Sequence, residues 1–371
     1  MSALDRTMLT IAARAGLRGF GAVEPNPMVG CVIGQDDGTV LSIGHHRIFG
    51  GSHAEIDALG RCRELGFDPR GATCWVTLEP CSVEGKTPPC TEALIAAGIR
   101  RVVYAATDTT LPAPGGAVKL QAAGIDARHS TASKFASSLA IPFLHSARTH
   151  RPWVRVKWAH TIDGRIATSR GESQWISNQH SRRAVHRQRG CCDAILTGIG
   201  TVLADDPLLT ARTNHPRRTP RRVIIDPRLE TPLDGQLMAS IPNALLTIVT
   251  ATPSTRSDLY EAKGAQVLHC ASDIGTIDLR QVLSDLWSHH AISTVFVEAG
   301  PRLIGHLMTH TLVDELIVYT APMVFGDGEA PCAVAGPPLA ALDAAHRFTL
   351  WHVRQRAGDI EARYIRSQAL R

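Results

Sequence analysis

The sequence is poor in aromatic residues, 5% of its 371 positions, and holds no apolar run near the ~18–20 residues that a membrane-spanning helix needs. Stretches such as Ile195-Leu196 and Val295-Phe296-Val297 are interrupted within a few positions, so no spanning helix is expected. The start, Met1-Ser2-Ala3-Leu4-Asp5-Arg6, lacks the charged and apolar regions of an export signal, and a cytoplasmic location is the expectation. Fixed-period repeats and low-complexity tracts are absent too, which excludes a solenoid. What is there is globular in composition, 44% hydrophobic and 20% charged. The length of 371 residues suits two domains at the usual ~100–200 residues each.

Nine cysteines, an odd number, do not read as a disulfide framework. Cys31, Cys62, Cys74, Cys270 and Cys332 stand alone and read as packed thiols. Cys191-Cys192 precedes a strand, where neighbours face opposite ways and cannot ligate jointly. Cys81 and Cys90 remain as candidates for chemistry.

The net charge of +5 is unevenly spread: 14 basic and 13 acidic residues over 1–150, 14 and 5 over 151–225, and 11 and 16 over 226–371. The basic middle segment holds Arg182, Arg183, Arg187, Arg189, Arg212, Arg217, Arg218, Arg221 and Arg222. Part of this is a helix face, since Arg182, Arg183 and Arg187 lie on one side of a helix starting near Asn178. Nucleic acid calls for more charge and for aromatic stacking platforms, so small phosphorylated ligands fit better and no nucleic-acid partner is expected.

Periodicity and breakers predict α and β in alternation. Helices are expected at 4–17, 53–65, 91–97 and 132–150, and strands at 29–33, 40–44, 72–78 and 101–106. Arg151-Pro152 marks a boundary, giving domains 1–148 and 152–371. Beyond it, strands at 153–159, 193–197, 222–226, 244–250, 265–269, 292–297 and 314–320 alternate with helices at 178–188, 198–204, 255–262, 278–288 and 300–309. A hairpin, 348–354 and 359–366, turns at Ala357-Gly358. Crossover helices imply largely parallel sheets covered on both faces.

The strongest local signal is Ser52-His53-Ala54-Glu55, then Glu79-Pro80-Cys81, then Pro88-Pro89-Cys90. One imidazole and two thiolates make a three-ligand Zn²⁺ site with an open fourth position, the catalytic arrangement. Bound zinc acidifies its water toward neutrality, and Glu55, two residues from His53 and no ligand itself, would shuttle protons to a departing amine. The implied reaction is hydrolytic deamination of an amidine-like ring carbon. Taken singly the residues have plainer readings. Ser52-x-x-Glu55 is also a capping box, and Cys81 alone reads as a buried thiol. His45 and His46 are expected at the pocket rim.

Pro25-Asn26-Pro27-Met28-Val29-Gly30-Cys31-Val32-Ile33, His53-Ala54-Glu55-Ile56-Asp57-Ala58-Leu59 and Thr77-Leu78-Glu79-Pro80-Cys81 resemble the bifunctional deaminase/reductase family of riboflavin biosynthesis. The resemblance continues in Lys157-Trp158-Ala159, Asp163-Gly164-Arg165, Gly171-Glu172-Ser173-Gln174-Trp175-Ile176, Gly200-Thr201-Val202-Leu203-Ala204-Asp205-Asp206-Pro207 and Val297-Glu298-Ala299-Gly300-Pro301. It implies a cytidine-deaminase-like three-layer α/β domain followed by a dihydrofolate-reductase-like α/β domain. By the same resemblance, the first half would deaminate a diaminopyrimidinone carrying ribose phosphate, and the second would reduce ribosyl to ribityl with NADPH. The zinc ligands map onto His53, Cys81 and Cys90, the proton shuttle onto Glu55, and a pyrimidine contact onto Asn26. Ala159, Trp175, Thr201, Asp205 and Gly300 map beside the cofactor, and Ser173, Arg189, Leu209, Arg212 and Glu298 onto substrate positions. Guanidinium groups bind phosphate bidentately, which suits Arg189 and Arg212, and Gly300 opens a helix after a strand, where N–H groups favour phosphate. A homo-oligomer is expected, with a small phosphorylated pyrimidine as substrate and no membrane partner.

The chain departs from that family at several points. Val83-Glu84-Gly85 stands where a pair of histidines and a glycine are usual, Asp57 where a second histidine is usual, and Thr107-Asp108-Thr109-Thr110-Leu111-Pro112 in place of an Asp-Pro-Asn-Pro turn. Asp226-Pro227 replaces Asp-Ser. Two other functions remain open on the sequence: a nucleobase deaminase acting on tRNA, which predicts steep salt dependence, and a zinc-dependent binding module in which Glu55 merely caps its helix.

Overall fold

The structure, a computed structural model, describes residues 2–84, 88–110, 115–213, 215–251, 255–271 and 276–367. It divides into two units, Met1–Thr149 and His150–Arg371. Among the described residues no helix is long and apolar enough to cross a membrane.

The first unit opens with α1 (Ala3–Gly16), whose N-cap Ser2 accepts the Asp5 N–H on its hydroxyl at 3.0 Å. It continues through β1 (Gly30–Gly34), β2 (Val40–His45), α2 (Ala54–Glu64), β3 (Thr73–Val76), α3 (Cys90–Ala96), β4 (Arg101–Tyr104), α4 (Gly116–Ala122), β5 (Asp126–His129), α5 (Lys134–Ser138) and α6 (Ile141–Thr149). The five strands are ordered β2-β1-β3-β4-β5. One face packs Ile33, Val76 and Val102 against Ala58, Leu59, Leu94 and Leu120 of α2, α3 and α4; the other packs Val32, Trp75 and Val103 against Met8, Leu9 and Ala12 of α1. This is a three-layer α/β/α domain.

Two expectations fail here. The sheet is mixed, because β1 runs antiparallel to both β2 and β3 and only β3, β4 and β5 are parallel. The link from β1 to β2 is a tight turn at Gln35–Thr39, where the Gln35 N–H donates to the Thr39 carbonyl at 2.8 Å, and a turn that short cannot make a crossover. The single helix expected at 132–150 is two, with Pro142 in the first turn of the second, where its missing N–H costs nothing. Helix α4 and strand β5 had no counterpart in the sequence reading.

Two glycines fix how α1 and α2 lie on the sheet. A Cβ at Gly30 would stand 1.8 Å from the Ala12 carbonyl oxygen of α1, and one at Gly44 would stand 2.3 Å from the Ala58 nitrogen of α2.

The second unit has β6 (Trp153–His160), α7 (Gln179–Arg189), β7 (Ala194–Gly198), α8 (Ile199–Asp205), β8 (Arg221–Ile225), α9 (Gln236–Ala239), β9 (Leu246–Thr250), α10 (Ser257–Glu261), β10 (Gln266–His269), α11 (Leu279–His290), β11 (Thr294–Val297), α12 (Pro301–Thr309), β12 (Glu315–Thr320), β13 (Phe348–Arg356) and β14 (Asp359–Arg366). Their order is β10-β9-β8-β7-β11-β6-β12-β14-β13. The first seven in that order are parallel, and the final hairpin adds antiparallel β14 and β13 through the Ala357-Gly358 turn, with φ of 49° and 103°.

Neighbouring strands β7 and β11 send their following helices to opposite faces. Val202 of α8 packs with Ile195 and Phe296, while Ile304 and Leu307 of α12 pack with Val295 and Val297. Such a divergence opens a crevice at the carboxyl ends of the two strands, where open α/β sheets bind ligands.

Candidate active sites

In the first unit, three segments meet at the carboxyl edge of β3. His53 is the N-cap of α2, Cys90 is the first residue of α3, and Cys81 lies in the loop after β3. Their donor atoms all lie within 4.8 Å of one another. His53 Nδ1 is 3.6 Å from Cys81 Sγ and 3.3 Å from Cys90 Sγ, and the Cys90 N–H donates to Cys81 Sγ at 3.3 Å. The amino ends of α2 and α3 both favour negative charge at this point. A shared proton with Cys90, helped by His53, pulls the Cys81 thiol down to about 4, while Cys90 is pushed up. Two sulfurs and one imidazole nitrogen so close suit zinc, and three protein donors leave a tetrahedral position for water.

Glu55 lies beside this cluster and is only 3% exposed. Burial, reinforced by the neighbouring Cys81 sulfur, raises its carboxyl to about 7. The capping-box alternative does not hold, because the cap position is His53, not Ser52, and no side chain caps α2. Glu55 is therefore no reciprocal cap, and its carboxyl lies against the Cys90 thiol instead.

Asn26 reaches the same pocket through His46, which the sequence placed only at the rim and which is buried, 2% exposed. His46 Nδ1 donates to the Ser52 carbonyl at 2.9 Å, so Nε2 is the acceptor for the Asn26 amide N–H at 3.2 Å. Burial outweighs the hydrogen bond to Ser52 and holds His46 below its ordinary pKa, which keeps it neutral. Its ring stands edge-on to His53, with centroids 5.5 Å apart. Asp57, one of the departures, binds the His45 N–H at 3.0 Å and ion-pairs with Arg47 at 3.0 Å and Arg61 at 3.4 Å, so it braces the chain leading to His46. Val83 and Glu84 are exposed; Gly85 and the Leu111-Pro112 part of the other departure lie outside the described residues.

In the second unit, the crevice between β7 and β11 gathers part of the expected set. Glu298 follows β11 and takes Arg189 Nε on Oε1 at 2.5 Å, with Lys157 Nζ 3.8 Å from Oε2. All three side chains are at most 16% exposed. Arg189 also donates to the Thr210 carbonyl at 3.3 Å. The guanidinium expected to await phosphate is thus largely committed to Glu298. Arg212 is exposed, and its N–H donates to His186 Nδ1 at 3.3 Å. Leu209 is buried in the core at φ 50°.

Gly300 is the N-cap of α12 with no side-chain cap bond, and Cβ atoms built at Gly300 or Gly200 meet nothing within 4 Å. The helix start is bare and the space above it open, which suits the phosphates of a dinucleotide. Thr201 and Ala159 are half-buried near these strand ends, and Asp205 is the exposed last residue of α8. Trp175 is 65% exposed, with the Arg182 guanidinium 4.5 Å from its ring centre, and Ser173 is exposed in the same loop. Lys157 carried no role in the sequence reading; only its neighbour Ala159 did.

Comparison with known proteins bears on both units. Residues 2–106 match the family described as cytidine and deoxycytidylate deaminase zinc-binding region, and residues 152–361 match the RibD C-terminal domain. The riboflavin biosynthesis protein RibD of Escherichia coli (strain K12) is 38% identical over 365 residues, covering 96% of this chain and 98% of its own. That of Aquifex aeolicus (strain VF5) is 35% identical over 326 residues, covering 88% and 89%. Among solved structures, a diaminohydroxyphosphoribosylaminopyrimidine deaminase/5-amino-6-(5-phosphoribosylamino)uracil reductase of Thermotoga maritima aligns with a TM-score of 0.82 at 31% identity, covering 98% of this chain and 99% of its own. Acinetobacter baumannii RibD aligns with a TM-score of 0.81 at 33% identity, covering 98% and 99%.

Proposed function

Because this chain belongs to the RibD family of riboflavin biosynthesis, bifunctional enzymes with a zinc-dependent deaminase region and an NADPH-dependent reductase domain, we propose specific substrates and residue roles for each half. The first unit hydrolyses the 2-amino group of 2,5-diamino-6-(5-phosphoribosylamino)pyrimidin-4-one. The second reduces the ribosyl group of the resulting uracil to ribityl. The observation that carries the reading is the cluster of His53, Cys81 and Cys90 donors within 4.8 Å, beside a buried carboxyl.

In the first unit His53, Cys81 and Cys90 would hold the metal, which would supply an acidified water. Glu55 would hold at its carboxylate the proton given up by the attacking water and pass it to the 2-amino group, which leaves as ammonia. A carboxyl raised to about 7 by burial suits a group that must both take and give a proton near neutral pH. Asn26, its amide oriented by neutral His46, holds the pyrimidine edge.

In the second unit NADPH supplies the hydride. The bare start of α12 at Gly300 would hold its phosphates, with Thr201, Ala159, Trp175 and Asp205 beside the cofactor. Arg212, exposed at the mouth, takes the sugar phosphate, with Ser173 and Leu209 completing the substrate wall. Arg189 holds Glu298 toward the ribose.

The reading includes a cytoplasmic enzyme, since a reducing compartment keeps the Cys81 and Cys90 sulfurs out of disulfides. It also includes a homo-oligomer, supported by exposed Leu350 (54%) and Val353 (53%) on the edge strand β13 and checked by sedimentation of the full chain. The decisive experiment supplies the pyrimidine ribosyl phosphate with and without NADPH and follows ammonia release and NADPH oxidation separately. Ammonia release without NADPH, and NADPH oxidation only after it, are expected; ammonia release from neither mixture would refute the assignment.

A further inference from the structure

The residue two places before Cys81 has no part in either reaction as described above, yet it is buried and heavily engaged. Glu79 is 6% exposed. Its Oε1 accepts the Ala117 N–H at 2.9 Å and its Oε2 accepts the Asp108 N–H at 3.2 Å. Ala117 is in the first turn of α4, a helix whose N-cap, Gly115, offers no side-chain bond, so the carboxylate caps this helix from a distant part of the chain. Asp108 lies in the segment that follows β4.

Two adjacent glycines make room for this contact. A Cβ at Gly115 would stand 2.8 Å from Glu79 Oε1, and one at Gly116 would stand 1.8 Å from the Pro80 carbonyl oxygen. The backbone adds to it: the Glu79 N–H donates to the Ala106 carbonyl at 2.8 Å, and the Thr91 N–H donates to the Cys81 carbonyl at 3.2 Å. The Glu79-Pro80-Cys81 segment is therefore held between the start of α4, the end of β4 and the start of α3. A sulfur that must stand within bonding distance of a metal shared with His53 and Cys90 tolerates little displacement of the segment that carries it.

We propose that Glu79 is a positioning residue for the deaminase site: its carboxylate clamps the Cys81 segment to α4 and to the segment after β4, and so sets the affinity of the metal centre. This rests on the assignment of Cys81 as a metal ligand. Glu79→Gln keeps the size of the side chain but turns an NH₂ toward one of the two backbone N–H donors, breaking half of the clamp. Gly115→Ala leaves Glu79 in place and pushes its carboxylate aside.

The test uses the full chain loaded with zinc, competed against a colorimetric chelator at 25 °C, with circular dichroism and NADPH oxidation on the deaminated substrate confirming that each variant is folded. Zinc affinity is expected to fall about 10-fold or more in both variants, and deaminase kcat to recover partly when zinc is added in excess. A structural role alone would lower the melting temperature without moving zinc affinity in the folded protein. Variants that hold zinc within twofold of the wild type overturn the proposal, whereas a wild-type protein that binds no zinc overturns the ligand assignment beneath it.

Discussion

Glu298 and Arg189 form a buried ion pair at the mouth of the second crevice, 2.5 Å from Oε1 to Nε, with Lys157 on the other carboxylate oxygen at 3.8 Å. Two cations converge on one carboxylate, so the carboxylate is what keeps both cations buried. Burial alone would raise the Glu298 pKa, but Arg189 and then Lys157 outweigh it and hold it below the ordinary carboxylate range.

The pH dependence follows from that direction. A lowered folded pKa contributes stability that is fully present above the unfolded value of about 4.3 and is lost as pH falls through the folded value. Glu298→Gln strands buried positive charge and is expected to cost about 3 kcal/mol at neutral pH. Denaturant unfolding at a series of pH values should show a constant gap between wild type and variant above about pH 6 that narrows below about pH 4.3. A gap that stays flat into acid would remove the ion pair as its cause.

Arg212 and Arg189 separate by role. Arg212→Ala is expected to raise KM for the phosphorylated substrate about 10-fold or more with a smaller change in kcat, and to leave a dephosphorylated analogue unaffected, as loss of a charge-assisted contact requires. Arg189→Ala is expected to destabilise the second unit instead, read as a lower melting temperature. Equal effects of both on KM would contradict the division.

Gly44 and Gly60 make a matched pair. A Cβ at Gly44 would press on the backbone of α2 at Ala54 and Ala58, 2.4 and 2.3 Å away, and move the helix that carries Glu55. Gly44→Ala is expected to cost about 1–3 kcal/mol and weaken zinc retention. Gly60→Ala, on the same helix with nothing within 4 Å, is expected to be neutral or stabilising by up to about 1 kcal/mol. Chemical denaturation of the two variants checks the contrast.

What the sequence revealed and what it hid divide along physical lines. The meeting of His53, Cys81 and Cys90 was legible because a metal site would restrict residue type and each of the three sits at a recognisable element end. The two-unit α/β plan was legible because periodicity and breakers are local. The direction of β1 was not, since apolar pattern reports burial and says nothing of strand sense. Strand β5 is only four residues long and begins at a charged position, Asp126, so it left little pattern. The Ser52-x-x-Glu55 spacing alone does not decide between cap and proton shuttle, because a cap depends on backbone angles, and these place His53 at the boundary. The partner of Glu298 lies 109 positions away, and only the fold brings Arg189 to it. The sequence assigns no hydrogen-bonding role to His46 or Glu79 for the same reason: their partners are set by tertiary contact.

Glu55→Gln tests the proton shuttle apart from the metal. The amide cannot accept the proton, so kcat for ammonia release is expected to fall about 10²–10⁴-fold while zinc content stays at the wild-type level. An unchanged rate would make Glu55 a structural residue.

The most direct test of the account is metal analysis of the purified full chain, followed by chelation with the ammonia and NADPH signals measured in parallel. One zinc per chain is predicted, with chelation abolishing ammonia release and sparing NADPH oxidation on the already deaminated substrate. A metal-free protein that releases ammonia at the same rate before and after chelation would contradict it.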